Sequence, residues 1–379
     1  MFYDQIDSDW RFYAAVNPPF YTAQQVDNPP FPYAFSGTAG TTPLPSPDSI
    51  DFNLPVPTRL QYSFGVQRQI ASSNVFSVSY VGSHSYHMTR TLEGNTAVPQ
   101  FLAGDIVFFP AGSPRRNRAL SNVRFIRADA SGSYNSLQLE FIQRASRNIR
   151  YKVSYTYAKN IDEASRTVTG LSNGEANGPQ NVLDRRADRA LSGFDVRNNL
   201  VMNFTYDVPW TNPSGLSGRL LGGWQVSGIV TLSSGTPFTA ITGFNRSRDL
   251  NRNIADRPNL KPGASNNPVL GGPDRYFDPT VFELPAAGFY GNLGRNTLLG
   301  AGFANLDFTL AKVTSVNERW KVDFRAEFFN LLNRADFDLP ATGGASLFAP
   351  NGSLLGAAGR IRATVIPSRQ IQFGLKLIF

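Results

Sequence analysis

The sequence predicts an all-β chain, an antiparallel transmembrane β-barrel that is partial at nine or ten strands and carries long loops on one rim. Three observations predict it. Strand-length segments with strict apolar/polar alternation recur along the chain, the connections between them alternate short and long, and aromatic residues gather at the segment ends.

The bulk composition narrows the classes first. Hydrophobic residues make up 41% of the 379 residues and charged residues only 17%, below the ~25% of ordinary soluble domains. Aromatics reach 12%, with 29 Phe and 14 Tyr, beside 33 Gly and 26 Pro, a mixture that suits many strands joined by irregular loops. The chain has no long apolar run of the kind a membrane-spanning helix needs. The start, MFYDQIDSDW, carries Asp4, Asp7 and Asp9 and no apolar stretch, so it does not read as a signal peptide. Cysteine is absent, which excludes disulfides and thiolate metal sites and leaves the compartment open.

A net charge of +8 would suit nucleic acid. The basic residues, however, lie scattered in SPRRNR (113–118), DRRADR (184–189) and NRSRDLNRN (245–253), with Asp inside two of the three. No continuous basic stripe forms, and contact with an anionic surface is expected instead of nucleic acid.

Nine segments carry the period of two. In 60–67, Leu60, Tyr62, Phe64 and Val66 oppose Gln61, Ser63, Gly65 and Gln67; in 75–81, Phe76, Val78 and Tyr80 oppose Ser77 and Ser79. In 137–142, Leu137, Leu139 and Phe141 oppose Gln138 and Glu140, and in 149–158 Ile149, Tyr151, Val153, Tyr155 and Tyr157 oppose Lys152, Ser154 and Thr156. Leu200, Met202, Phe204, Tyr206 and Val208 oppose Asn203, Thr205 and Asp207; Trp224, Val226, Val230 and Leu232 oppose Gln225, Ser227 and Thr231. Leu306, Phe308 and Leu310 oppose Asn305, Asp307 and Thr309, and Trp320, Val322, Phe324, Ala326 and Phe328 oppose Arg319, Lys321, Asp323, Arg325 and Glu327. The last segment, QIQFGLKLIF (370–379), ends the chain on Phe379.

Such strands build either a soluble sandwich, with apolar faces meeting each other, or a membrane barrel, with apolar faces meeting lipid. Length favours the barrel, because 149–158, 200–208, 319–328 and 370–379 match the ~9–11 residues that cross a bilayer at a tilt. Connections favour it too. Short links at 71–74, 143–148 and 311–318 alternate with long ones at 82–136, 159–199, 240–304 and 329–369, and 209–223 is intermediate. Tyr157, Trp210, Trp224, Trp320 and Phe379 stand where aromatic girdles are expected. The expected lumen-facing residues are Lys152, Asn203, Asp207, Asp307, Lys321, Asp323, Arg325 and Glu327, and no charge interrupts the middle of an apolar face.

Long stretches then resemble the β-barrel domain of TonB-dependent outer-membrane transporters of the Oar-like group. They are RLQYSFGVQRQIASSNVFSVSYVGSHSYH (59–87), YNSLQLEFIQRASRNIRYKVSYTYAKNIDEAS (134–165), FDVRNNLVMNFTYDVPW (194–210), LLGGWQVSGIVTLSSGTPFTA (220–240), GNLGRNTLLGAGFANLDFTLAK (291–312) and RWKVDFRAEFFNLLNRADF (319–337). The resemblance implies location in the cell outer membrane, contact with its lipids, an extracellular ligand, and contact with TonB only through a plug region that this sequence does not contain. It also implies that the terminal strand, with Phe373, Leu375, Leu377 and Phe379, is the signal read by the barrel-assembly machinery. The family's barrel of about 22 strands makes this chain a C-terminal portion, with residues 1–58 as a Pro- and aromatic-rich extracellular loop segment and 59–379 as barrel; WRFYAAV (10–16) is a candidate extra strand.

Chemical motifs are few. HSYH (84–87) holds both histidines, which a strand sets on opposite faces, against a joint metal site. GNLGRN (291–296) lacks the helix of a phosphate loop and reads as a turn into the next strand. IDE (161–163) and the charges of 319–327 read as structural pairs and a self-compensating polar wall rather than an acid–base site. The chain is therefore expected to be no enzyme and to need no cofactor. Its expected function is ligand uptake across the outer membrane. The alternative is a stand-alone barrel for surface adhesion or structure.

Overall fold

A computed structural model describes the chain except residues 1, 4–16, 19–20, 22–42, 147, 166–177, 210–217, 219–220, 254–255 and 341–344. The candidate strand at 10–16 and Trp210 lie outside the described residues. Nine long strands form one sheet: β1 (Thr58–Ala71), β2 (Asn74–Glu93), β3 (Arg124–Ser146), β4 (Ile149–Asp162), β5 (Asn198–Asp207), β6 (Trp224–Ser233), β7 (Phe303–Ser315), β8 (Lys321–Phe329) and β9 (Gln370–Ile378). Each pairs antiparallel with the next in chain order, an up-and-down meander. Phe2–Tyr3 adds a short pairing on the outer edge of β1. Strands β1 and β9 do not meet, so the barrel is open.

The register lines up the two kinds of residue that the sequence alternates. One apolar row runs Tyr151, Phe204, Gly228, Phe308, Phe328, Ile371 across β4 to β9. Gly228 is required in that row, because a Cβ there would stand 2.8 Å from the Phe204 ring and 3.0 Å from the Asp307 carbonyl. Cross-strand rings meet along the same face: Phe141 with Tyr151 at 5.7 Å, Phe308 with Phe328 at 6.1 Å and Phe324 with Phe373 at 6.4 Å. Such aromatic pairs add ~0.5–1.5 kcal/mol each beyond area burial.

The apolar face decides between sandwich and barrel. Phe64 is 74% exposed, Phe373 69% and Leu375 76%; no second layer covers them, as a sandwich would demand. A contiguous apolar surface of this kind on a sheet is built for lipid. A ten-residue strand such as β5 rises ~34 Å, or ~24 Å when tilted by about 45°, the height of an outer-membrane apolar band.

Two connections differ from expectation. Strands β2 and β3 continue as a ribbon well past their neighbours, pairing as far as Glu93 with Arg124, so the connection expected at 82–136 shrinks to 94–123. Alternating polarity fails there because the ribbon has left the membrane environment that imposes it. Asp48–Ile50, inside the segment expected to be loop, pairs parallel with Arg124–Ile126, and the Asp48 carboxylate accepts two bonds from the Arg124 guanidinium at 2.8 and 2.9 Å. Phe324, Phe328 and Leu331 also carry a helix-like spacing of three to four, yet β8 is extended from Lys321 to Phe329.

The hydrophobic core sits in the loops. Phe238, Tyr276, Phe277, Phe282, Leu298 and Leu347 are buried together, drawn from the connections 234–302 and 330–369. These connections are long enough to bury their own apolar side chains, and they fold into a cap on the rim opposite the short turns at 72–73 and 316–320.

Candidate functional site

The polar face carries the candidate site, and strand register decides which residues share it. Lys152 stands opposite Asn203, Asn203 opposite Ile229, and Ile229 opposite Asp307, one row across four strands. Lys152 reaches sideways to Glu140 on β3 at 2.5 Å. Asp207 accepts from Gln225 at 2.6 Å and pairs with Arg150 at 3.4 Å. Asp307 is held at 2.9 Å by the Asn330 amide and at 3.0 Å by the Asn305 side chain. On β8, Lys321, Asp323, Arg325 and Glu327 follow one another at the period of two, with Arg325 paired to Asp323 at 3.3 Å. The sequence-derived polar residues therefore share one face of the sheet, where Lys152, Asp207 and Asp323 each stand in an ion pair.

The face is hollowed elsewhere, on β1 to β4, where none of those eight residues forms the lining. A cleft of about 520 Å³ is lined mainly by polar-face residues of β1 to β4, among them Gly65, Gln67, Ser77, Gln138, Glu140 and Thr156. Gly65 keeps it open, since a Cβ would stand 2.7 Å from the Ser79 hydroxyl. A second cleft of about 400 Å³ follows toward the cap, lined by Arg59, Ser83, Ser133, Tyr134, Asn160 and Asp162 among others.

Above it the cap is locked onto the sheet by buried polar groups that sequence reasoning did not find. Arg295, of the GNLGRN turn, donates to the Asp162 carboxylate at 2.5 Å, to the Asp162 carbonyl at 2.7 Å and to the Asp188 carbonyl at 2.7 Å. Ser165 bonds both oxygens of Asp162 at 3.0 and 2.9 Å. Arg257 pairs with Asp188 at 2.6 Å. Asn296 takes the Thr239 hydroxyl and gives its amide to the Leu191 carbonyl, each at 2.8 Å. GNLGRN is thus a structural turn whose Arg295 and Asn296 fasten the connection 234–302 to β4 and its following loop. Its sequence signal was the Gly-Arg-Asn triplet itself, polar residues placed where the chain re-enters an apolar strand.

The other motifs resolve as structure. Glu163 accepts from the Ser131 amide at 2.8 Å and faces Arg185 at 3.4 Å, so IDE is a pair of anchors. The register slips between Ser85 and Met88, and His87 sits there at φ 57°, while His84 packs against Tyr86 at 4.3 Å. Among the described residues no three His, Cys, Asp or Glu side chains converge as a metal site would require. Arginines of the basic loops serve as struts: Arg115 donates to the Asn95 carbonyl at 2.6 Å and to the Asn122 side chain at 2.6 Å.

Aromatic residues mark the two ends of the strands. Trp320, in the turn before β8, packs on Phe379 at 5.2 Å, and Trp224 at the start of β6 lies under the Lys312 ammonium at 4.9 Å. Tyr157, farther along β4, is met by Arg197 at 6.0 Å.

Comparison with known proteins agrees with this geometry. The sequence matches the family model of the outer membrane beta barrel domain over residues 1–372. The chain belongs to that family. It is an all-β domain of the cell outer membrane, in contact with the lipid bilayer. A search of curated proteins gives no match. Similar solved structures include the outer membrane transporter YddB from Escherichia coli, at 10% identity and TM-score 0.43, covering 89% of this chain and 34% of that one. The ferric enterobactin receptor PfeA of Pseudomonas aeruginosa has 10% identity and TM-score 0.42, over 86% of this chain and 31% of that one. The FrpB iron transporter of Neisseria meningitidis has 11% identity and TM-score 0.38, over 88% and 33%. This outer-membrane barrel domain spans about a third of the length of those transporters.

Proposed function

We propose that this outer-membrane barrel domain is the C-terminal part of a TonB-dependent, Oar-like transporter that takes up a ligand across the outer membrane. The observation that carries the reading is the hollowed polar face of β1 to β4, two clefts of which the second reaches Asp162, where the cap is fastened by Arg295. In this reading Lys152, Asn203, Asp207, Asp307, Lys321, Asp323, Arg325 and Glu327 face the lumen, and Tyr157, Trp224 and Trp320 stand at the lipid interfaces. Phe373, Leu375, Leu377 and Phe379 form the strand the assembly machinery recognises. Residues 59–379 are barrel and residues 1–58 an outer loop segment. Ligand capture belongs to the cap, and passage belongs to the lumen once a plug rearranges. Energy comes through TonB, whose contact a separate plug region supplies. The chemistry is binding and passage, without a catalytic step.

The test is an immunoblot of outer-membrane fractions with an antibody to residues 240–304, followed by pull-down with the periplasmic part of TonB. The expected result is a TonB-binding polypeptide well above 41.6 kDa. A membrane-bound band near 41.6 kDa that ignores TonB would refute transport and favour an adhesion or structural barrel.

A further inference from the structure

The second cleft holds a cation that no acidic side chain answers. Arg59, near the cap end of β1, lines this hollow of about 400 Å³ together with Ser83, Ser133, Asn160 and Asp162. Its Nη2 donates to the Ser83 hydroxyl at 3.0 Å, and no carboxylate among the described residues pairs with it. Ser83 is 4% exposed, so the hydroxyl that holds the guanidinium is fixed by packing. Asp162 is the acid in the lining, and its carboxylate is already taken by Arg295 at 2.5 Å and by Ser165 at 3.0 and 2.9 Å. Arg59 thus uses one of its N–H donors on the protein and keeps the rest.

The two clefts differ in charge and in surface. In the first, Glu140 is answered by Lys152 at 2.5 Å, and no net charge remains. In the second, Met88, Tyr134 and Phe194 give a mostly apolar lining beside the Arg59 charge. Gly132 makes the room, because a Cβ there would stand 3.0 Å from the Met88 sulfur and 3.5 Å from the Asp162 Cβ. The side chains of Ser133 and Asn160 make no hydrogen bond among the described residues. An apolar hollow of this size with a few placed polar groups has the makeup of a small-molecule site.

We infer that the second cleft binds a small carboxylate with an apolar or aromatic body. The acid sits on Arg59, with Ser133 and Asn160 as further donors, and the body lies against Met88, Tyr134 and Phe194. Charge complementarity selects this class. A bare metal cation would meet a positive charge, and a neutral glycan would leave that charge unused. A phosphate monoester carries ~1.5–2 negative charges, more than one guanidinium balances beside the Asp162 carboxylate. A carboxylate carries a single charge, and its paired oxygens match the guanidinium fork. The inference rests on the uptake reading, in which the clefts hold the ligand, and adds the class of that ligand.

The test uses the full chain purified in a non-ionic detergent. Octanoate, 2-naphthylacetate and N-acetylphenylalanine are titrated by calorimetry, each beside its neutral amide. At least one acid should bind saturably with a Kd below about 1 mM. Its amide should bind at least about tenfold more weakly, the loss of a charge-assisted pair. Arg59 is exposed on its strand, so Arg59→Gln should weaken the acid by a similar factor without unfolding the chain. Arg59→Lys should weaken it less, since the charge stays and the fork is lost. Affinity for the amide should be the same in both variants, which shows that the cleft is intact. Arg68→Gln removes a charge from the same strand outside the cleft and should change nothing. No saturable acid binding, equal binding of acid and amide, or an unchanged affinity in Arg59→Gln would overturn the inference. Tighter binding of 2-naphthyl phosphate than of 2-naphthylacetate would overturn it too. A chain that binds TonB but none of the acids would refute the ligand class and leave the uptake reading in place.

Discussion

Replacing Arg295 by alanine should unfasten the cap while leaving the barrel strands in place. Arg295 is 7% exposed, and its guanidinium serves the Asp162 carboxylate, the Asp162 and Asp188 carbonyls and the Ser165 hydroxyl. Without it, the carboxylate of Asp162, 4% exposed, is left with the Ser165 hydroxyl as its donor among the described residues. Breaking a buried pair in this way costs ~3–5 kcal/mol, or about two to three and a half orders of magnitude in a local opening equilibrium. Hydrogen exchange followed by mass spectrometry reads that equilibrium segment by segment. Segments 186–196 and 292–300 should exchange faster by that factor, and β8 and β9 should not change. The double variant Arg295→Met with Asp162→Leu removes charge from both sides and should recover most of the loss, since apolar replacement of a buried pair is near neutral. If Arg295→Ala leaves the cap segments at wild-type rates, the reasoning is wrong. A double variant as labile as the single one would show that the cost lies in the orphaned carbonyls and not in the charge.

Three further outcomes are expected. Phe373→Arg should lower stability in lipid by ~2–4 kcal/mol, the cost of a charge at the middle of a lipid face, whereas Gly374→Arg, on the polar face with Arg325 opposite, should cost far less; equal losses in a denaturant titration would contradict the assignment of faces. The raised Asp256 carboxyl makes the folded cap bind a proton that the unfolded chain has already released. Stability is therefore full below about pH 4, falls as pH rises toward about 6 by up to about 3 kcal/mol, and stays flat above; Asp256→Asn should abolish this slope in thermal melts between those pH values. Gly235→Ala should destabilise the cap by ~1–3 kcal/mol, because its Cβ would stand 1.8 Å from the Gly300 carbonyl; an unchanged melting temperature would mean that the two backbones can part.

Function and fold were unequally legible. All nine long strands lie where the alternation placed them, because facing lipid on one side and polar groups on the other imposes a period of two on every strand, whatever its partners. Which residues share a strand face was legible for the same reason: once Asn203 is known to alternate with Met202 and Phe204, its face follows from the backbone alone. The family resemblance extended this reading to the outer membrane, and the family match agrees with it.

The cap was not legible. Its connections have no period, so nothing local announces that Phe277 meets Phe238, or that Leu347 packs into the same core from the far side of β7 and β8. Arg295 and Asp162 stand 133 positions apart, and each alone reads as an ordinary surface charge. Sequence therefore determined which side of each strand is apolar, a property set by consecutive residues. Tertiary structure alone decided which loops fold together and which charges lose their water, because those depend on residues that meet only after the chain has turned back on itself.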